Sequence, residues 1–168
     1  MLTIRKATLQ DLAAIAEIYN EALRKTTATL DSKPKTIDEQ KAWFAQHGGK
    51  YPVLVAEEGG VIAGWASLSR WSDRCGYADT AEASLYVKVG RQGKGIGRKL
   101  IAETLRAGQN AGLHSVMARI TAGNETSLHL AESLGFEHIG VMKEVGRKFG
   151  RLLDVHLMQK LFNRPEIP

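Results

Sequence analysis

Apolar and polar residues alternate from the start of the chain. Leu2 and Ile4 interleave with Thr3 and Arg5, so Leu2–Lys6 reads as a short half-buried strand. Thr8, followed three residues later by Asp11, has the form of a capping box. Behind it Leu12, Ile15, Ala16, Tyr19, Ala22 and Leu23 recur at helical spacing. Thr26–Lys35 is polar and reads as a loop. Thr36 and Glu39 repeat the capping pattern ahead of a short helix carrying Trp43 and Phe44. Pro52–Glu57 is an apolar strand, Gly59-Gly60 a tight turn and Val61–Trp71 the returning strand.

Ser72–Asp79 is a loop and Thr80–Val89 another strand. Gly90–Gly97 is glycine-rich and basic. Ile96–Ala111 then reads as a helix, with Leu100, Ile101, Thr104 and Leu105 on one face and Gly112 as its stop. Ser115–Thr121 is a strand, and Thr126–Leu134 a helix closed by Gly135. Phe136–Val145 and Leu152–Lys160 are the last strands, with Val145–Asp154 turning between them. The tail from Phe162 carries two prolines and is expected to be loose. Strands and helices in this order predict a mixed sheet flanked by helices, of α/β or α+β class, in a single domain over residues 1–161.

Composition narrows the function classes. The chain has 168 residues, 43% hydrophobic and 24% charged, an ordinary globular balance. Its lone cysteine, Cys75, excludes an internal disulfide framework and suits a reducing cytoplasm. Arg5 and Lys6 come too early for a signal peptide, and no apolar run approaches the ~18–20 residues of a membrane span. His47, His114, His129, His138 and His156 lack metal-ligand spacing, so no metal is expected. The net charge of +5 fits nucleic acid or a polyanionic small ligand. Basic residues concentrate in one place, at Arg91, Lys94, Arg98 and Lys99, without aromatic interleaving; this disfavours nucleic acid.

That place holds the strongest local signal, Arg91-Gln92-Gly93-Lys94-Gly95-Ile96-Gly97, between a predicted strand and a predicted helix. Such a junction presents backbone N–H groups with a helix dipole behind them, which suits a pyrophosphate; as a motif alone it also suits a flexible basic turn. A P-loop is excluded, because Lys88 stands where its first glycine belongs and Gly95 where its Ser or Thr belongs. A dinucleotide fingerprint fits poorly, since the spacing is Gly-x-Gly-x-Gly and lies mid-chain. The pattern Gln/Arg-x-x-Gly-x-Gly is met by Gln92, Gly95 and Gly97.

That pattern is the pyrophosphate signature of the GNAT acetyltransferase superfamily, which the chain resembles over nearly its whole length. Asn124-Glu125-Thr126-Ser127 and Leu134-Gly135-Phe136 match it further on. A narrower resemblance, to the phosphinothricin/methionine sulfoximine N-acetyltransferases, rests on several stretches: Ile18–Ala22, Thr26–Thr29, Trp43-Phe44, Tyr51–Val55, Glu82–Val87 and Val145–Arg151. The resemblance implies a GNAT fold with a mostly antiparallel sheet and acetyl-CoA as co-substrate. It implies direct acetyl transfer to the α-amino group of a small amino-acid-like acceptor, and a homodimer joined through the C-terminal strands. Glu82 is the implied general base. Leu85, Tyr86 and Val87 are the implied backbone contacts to the pantetheine arm. Gln92, Gly93, Lys94, Gly95, Ile96 and Gly97 would hold the pyrophosphate, and Asn124 and Ser127 the cofactor further along. Arg74, Tyr77 and Lys148 are the expected acceptor contacts, Lys148 by its match to the family and Arg74 as a nearby stand-in for the basic residue that relatives carry in that loop. Lys148, Phe149 and Asp154 match the family in a segment that lines the pocket, forms a dimer contact or simply packs. Thr26–Leu30 is expected to overhang the acceptor, while Tyr19 and Trp43 read as core.

The chain also departs from those relatives. Seven residues after Asn124 they usually carry His, where this chain has Ala131. His129 lies two positions away, about 200° around a helix, and should face elsewhere. Many relatives have His in place of Ala83, and a Phe-Arg pair where this chain has Gly76-Tyr77-Ala78-Asp79. The acceptor is therefore less firmly implied than acetyl-CoA. A protein N-terminus, a polyamine, or an acetyl-CoA sensor with little catalysis are the rival readings. Cys75, a lone loop cysteine, is not a promising nucleophile.

Overall fold

The computed structural model describes residues 1–162, and the predicted strands and helices occur in the predicted order. They are β1 (Leu2–Lys6), α1 (Leu12–Lys25), α2 (Ile37–Ala45), β2 (Val53–Glu58), β3 (Val61–Arg70), β4 (Thr80–Val87), α3 (Ile96–Asn110), β5 (Ser115–Thr121), α4 (Glu125–Ser133), β6 (Glu137–Lys148) and β7 (Arg151–Leu161). The strands form one seven-stranded sheet in the order β1-β2-β3-β4-β5-β7-β6. Every neighbouring pair is antiparallel except β4 with β5.

Both capping signals are used. The Asp11 carboxylate accepts from the Thr8 N–H at 2.8 Å and the Thr8 hydroxyl at 3.1 Å. Arg5 clamps the same carboxylate and reaches Glu57 on β2, so the entry to α1 is tied to the sheet. Thr36 and Glu39 exchange reciprocal bonds at the start of α2.

The sheet buries both faces. Val53, Val55 and Trp65 pack under Leu12, Ile15 and Ile18 of α1. The alternate residues, Leu54, Ala66 and Leu68, point to the other side, against Ile96, Leu100 and Leu105 of α3. α4 covers the same face farther along, through Leu128 and Ala131.

Two expectations are corrected at the C-terminal end. The segment Val145–Asp154 is not a broad turn, because β6 runs to Lys148 and β7 starts at Arg151. Phe149 and Gly150, both with positive φ (51° and 72°), make a two-residue hairpin. Phe162 is not loose: it is buried, and its N–H donates to the His114 carbonyl at 2.9 Å. The rest of the expected loose tail lies outside the described residues.

Candidate active site

The parallel pair β4 and β5 is joined at one end only. Pairing covers Thr80 with Ser115, Ala81 with Val116 and Glu82 with Met117. Beyond Glu82, β4 continues against β3 as far as Val87, and β5 against β7 as far as Thr121. The two strands therefore diverge and the sheet opens.

Backbone alternation decides which groups face the opening. Lys88 N–H donates to the Ala63 carbonyl at 2.8 Å, and Trp71 N–H to Thr80 at 3.4 Å. In an antiparallel ladder the hydrogen-bonded residues alternate. Glu82, Ser84 and Tyr86 thus direct their backbone groups to β3, while Ala83, Leu85 and Val87 direct theirs to the gap. This corrects one expectation: Leu85 and Val87 offer backbone donors and acceptors, but Tyr86 offers its side chain.

The opening is a cavity of about 530 Å³ that passes through the sheet. On one face its wall is Leu85, Ile101, Ala118, Leu130, Ala131 and Phe136. On the other lie Glu82, Ser84, Tyr86, Arg119 and Thr121, which alternation places on the side of α1.

The glycine-rich loop abuts this slot. Gly95 caps α3 in the left-handed region, φ 77°, a conformation that a side chain disfavours. A Cβ at Gly97 would stand 3.4 Å from both Leu85 and Val87, so α3 packs closely on the open edge of β4. The first N–H groups of α3 have no carbonyl within the helix to bind. Gln92 is anchored through Nε2 to the Val87 carbonyl at 3.3 Å. Gly93 and Lys94 are exposed, whereas the Ile96 side chain lies in the core and leaves only its backbone to a ligand. Of the local cations, Arg91 is paired with Glu58, and Arg98 donates to Ser133 at 2.6 Å.

Asn124 caps α4, its Oδ1 accepting from Ser127 N–H at 3.3 Å, and both residues line the cavity. Ala131 is also in the wall, so α4 presents no titratable side chain at this position. His129 is exposed and turned away from the cavity.

Glu82 faces the cavity in a bidentate ion pair. Arg119 Nη2 donates to Oε1 at 2.7 Å, and its Nε donates to Oε2. The guanidinium carbon lies 5.4 Å from the Trp71 ring centroid. The hydrogen bond to Glu82 raises the Arg119 pKa beyond its already high value, against an opposing effect of burial. Nothing in the sequence reading singled out Arg119. Its signal was a lone cation in the otherwise apolar or small-polar run Ser115–Thr121.

The segment after α1 roofs this face of the cavity, with Ala28, Thr29, Leu30 and Asp31 in the wall. Tyr19 packs its ring against the core beside Trp65, as expected, and also sends its hydroxyl to Thr29 at 2.9 Å and to Asp31. Burial, and then Asp31, raise its pKa well above the ordinary phenol range. Tyr86 packs edge-on against Tyr19, and burial pushes its pKa up to about 12, so its hydroxyl is neutral at neutral pH. Lys148 is buried and donates from Nζ to the Thr29 carbonyl at 2.6 Å. A Cβ at Gly146 would overlap Leu30, so that glycine lets the roof sit down on β6.

Three expected acceptor contacts lie elsewhere. Arg74 and Tyr77 are on the exposed turn before β4, outside the cavity wall. Lys148 reaches the roof from behind rather than the cavity itself. Of the other segment members, Phe149 is exposed at the hairpin tip, and Asp154 accepts from Glu144 N–H at 2.7 Å. Cys75 is exposed.

Comparison with known proteins gives a consistent picture. The acetyltransferase (GNAT) domain family matches residues 4–157. An L-amino acid N-acyltransferase from Escherichia coli is 45% identical over 159 residues, covering 94% of this chain and 92% of that protein. An L-methionine sulfoximine/L-methionine sulfone acetyltransferase from Salmonella typhimurium is 43% identical over 159 residues, 94% of this chain and 93% of its own. A solved structure of a GNAT phosphinothricin acetyltransferase from Sinorhizobium meliloti, in complex with acetyl-CoA, superposes with a TM-score of 0.91. It is 35% identical and covers 95% of this chain and 88% of that one.

Proposed function

The chain belongs to the GNAT acetyltransferase family, and on that premise we propose that it moves acetyl from acetyl-CoA directly to the α-amino group of a small amino-acid-like acceptor. The observation that carries this reading is the slot between β4 and β5. It gives two substrates separate approaches, from opposite faces of one sheet, to a common point beside Glu82.

The residues present suit acetyl-CoA, which supplies an acetyl group activated as a thioester. The backbone groups of Leu85 and the N–H of Val87, whose carbonyl already accepts from Gln92, hold the extended arm as an added strand would be held. Gln92–Gly97 and the first turn of α3 hold the pyrophosphate, with Lys94 beside it. Asn124 and Ser127 border the path between the arm and α4.

The acceptor enters beneath the roof segment. An ammonium cannot attack, so Glu82 takes its proton, and the neutral nitrogen then displaces the thiolate. Thiolate is a tolerable leaving group, and with Ala131 in the wall a water supplies its proton. No acyl-enzyme step is required: among the described residues, no Ser or Thr hydroxyl of the wall is hydrogen-bonded to a carboxylate or imidazole.

The named activities of the relatives point to methionine sulfone, methionine sulfoximine and phosphinothricin as first acceptors. A second copy of the chain is expected against β6 and β7, where Ile139, Val145, Phe149 and Leu152 are exposed on an edge. A cytoplasmic setting suits the single exposed cysteine.

The test is release of CoA thiol from acetyl-CoA by purified protein with a panel of amines: the sulfone, the sulfoximine, phosphinothricin, spermidine and a short peptide. Turnover confined to the amino-acid analogues is the expected result. Turnover confined to spermidine or the peptide would replace the acceptor. Acetyl-CoA binding with no turnover across the panel would favour a sensor.

A further inference from the structure

We propose that Arg119 anchors the acceptor's carboxylate, and that without an acceptor it is held on Glu82. Binding of an amino acid then exchanges one ion pair for another and frees Glu82 for the amine. This rests on the acceptor reading above and assigns that reading's specificity to one residue.

Arg119 is the single cation among the described residues of the cavity wall, which also holds two carboxylates, its partner Glu82 and, on the roof, Asp31. That balance complements a zwitterion: one anionic group for Arg119, one ammonium for the carboxylates. A bare amine would find acidic partners but would leave the guanidinium nothing new to bind. The guanidinium fork matches a carboxylate in bidentate fashion, and Glu82 already shows the geometry.

Arg119 has support independent of Glu82, since the Trp71 ring lies under the guanidinium. The cation can therefore keep its place while its anion is exchanged. Its side chain is 52% exposed against 22% for Glu82, so the incoming carboxylate meets the arginine first. Only Nε and Nη2 are engaged by Glu82, leaving Nη1 to make the first contact.

The exchange balances. The acceptor carboxylate takes the Arg119 N–H groups, and Glu82 turns to the α-ammonium and removes one proton onto a carboxylate oxygen. The nitrogen lone pair forms the C–N bond, the C–S bond breaks, the thiolate takes a proton from water, and the nitrogen gives its second proton to the hydroxide so left, which restores the water. Glu82 later returns its proton to solvent and reclaims Arg119.

The experiment compares methionine sulfone with 3-(methylsulfonyl)propylamine, the same amine without the carboxylate, on wild type, Arg119→Gln and Arg119→Lys. The expected wild-type preference for the amino acid is roughly 30- to 100-fold in kcat/KM, the scale of a charge-assisted bidentate contact. Arg119→Gln should collapse that ratio toward unity, mostly through KM, and Arg119→Lys should restore part of it. Damage to the fold would lower both acceptors together and leave the ratio, so a retained ratio in Arg119→Gln overturns the proposal. Wild-type turnover of the amine as readily as the amino acid also overturns it. Failure of wild type on both acceptors would overturn the acceptor reading itself.

Discussion

Lys148 is the clearest place to ask whether the roof segment governs the acceptor. It is 6% exposed, and its ammonium meets the Thr29 carbonyl at 2.6 Å, tying β6 to residues Ala28–Asp31 in the cavity wall. Burial lowers its pKa, against a smaller opposing pull from Asp31. Lys148→Met keeps much of the side-chain volume but removes the donor. A hydrogen bond from a charged group is worth about 1.5–3 kcal/mol, and losing it leaves the Thr29 carbonyl unpaired. Relief of the buried charge offsets part of this, for a net loss of about 1–2 kcal/mol. For a chain of this size that is a fall of roughly 3–6 °C in Tm. Thr29 remains tied to Tyr19, so the roof should loosen without detaching. The acceptor KM should rise by about tenfold, each factor of ten costing about 1.4 kcal/mol, while the acetyl-CoA KM stays put. Thermal melts and initial rates at varied acceptor and saturating acetyl-CoA measure both. A drop in Tm with an unchanged acceptor KM, or an equal rise in both KM values, would refute the reasoning.

Other outcomes follow from the same geometry. Gly95→Ala meets open space but must hold φ near 77°; it should cost about 1–2 kcal/mol and raise the acetyl-CoA KM, read by melts and kinetics. Asn124→Ala removes the cap of α4 and a cavity-wall amide together. It should cost about 1 kcal/mol and weaken acetyl-CoA more than acceptor, read by titration calorimetry. His47 is held between the Trp43 carbonyl and Ser69. Burial lowers its pKa below 6.5, against a smaller opposing effect of the Trp43 carbonyl. The fold therefore disfavours its protonation, so its contribution is full above pH 6.5 and is lost as pH falls below it. Urea midpoints should drop between pH 7.5 and 5 in wild type, and less steeply in His47→Gln.

What was legible in the sequence was mostly local. The Thr36–Glu39 box, the Gly59-Gly60 turn and the amphipathic face of α3 each need only neighbours in the chain, and each is present. The extended β6–β7 hairpin was hidden because Phe149-Gly150 sits among basic residues, and because irregular pairing between Met142 and Gly146 breaks the alternation. The tether from Phe162 to His114 joins residues far apart in sequence. The site divides in the same way. Asn124 and the glycines are marked by motif, and Glu82 by resemblance. Arg119 meets Glu82 across 37 positions, through a parallel pairing whose register no local pattern sets. The ring of Tyr19 packs on the core as its helical spacing predicts, but the bond from its hydroxyl to Thr29, which holds the roof, depends on a loop whose path no local pattern sets.

The central claim is that Glu82 takes the amine's proton at the mouth of the slot. Glu82→Gln keeps the shape and an acceptor for Arg119 but cannot serve as a base. Its kcat, followed by CoA-thiol release at saturating acetyl-CoA and amino-acid acceptor, should fall by about 100-fold or more, with the acetyl-CoA Kd unchanged. A kcat within about threefold of wild type, at the same acetyl-CoA affinity, would show that another group removes the proton and would contradict the account.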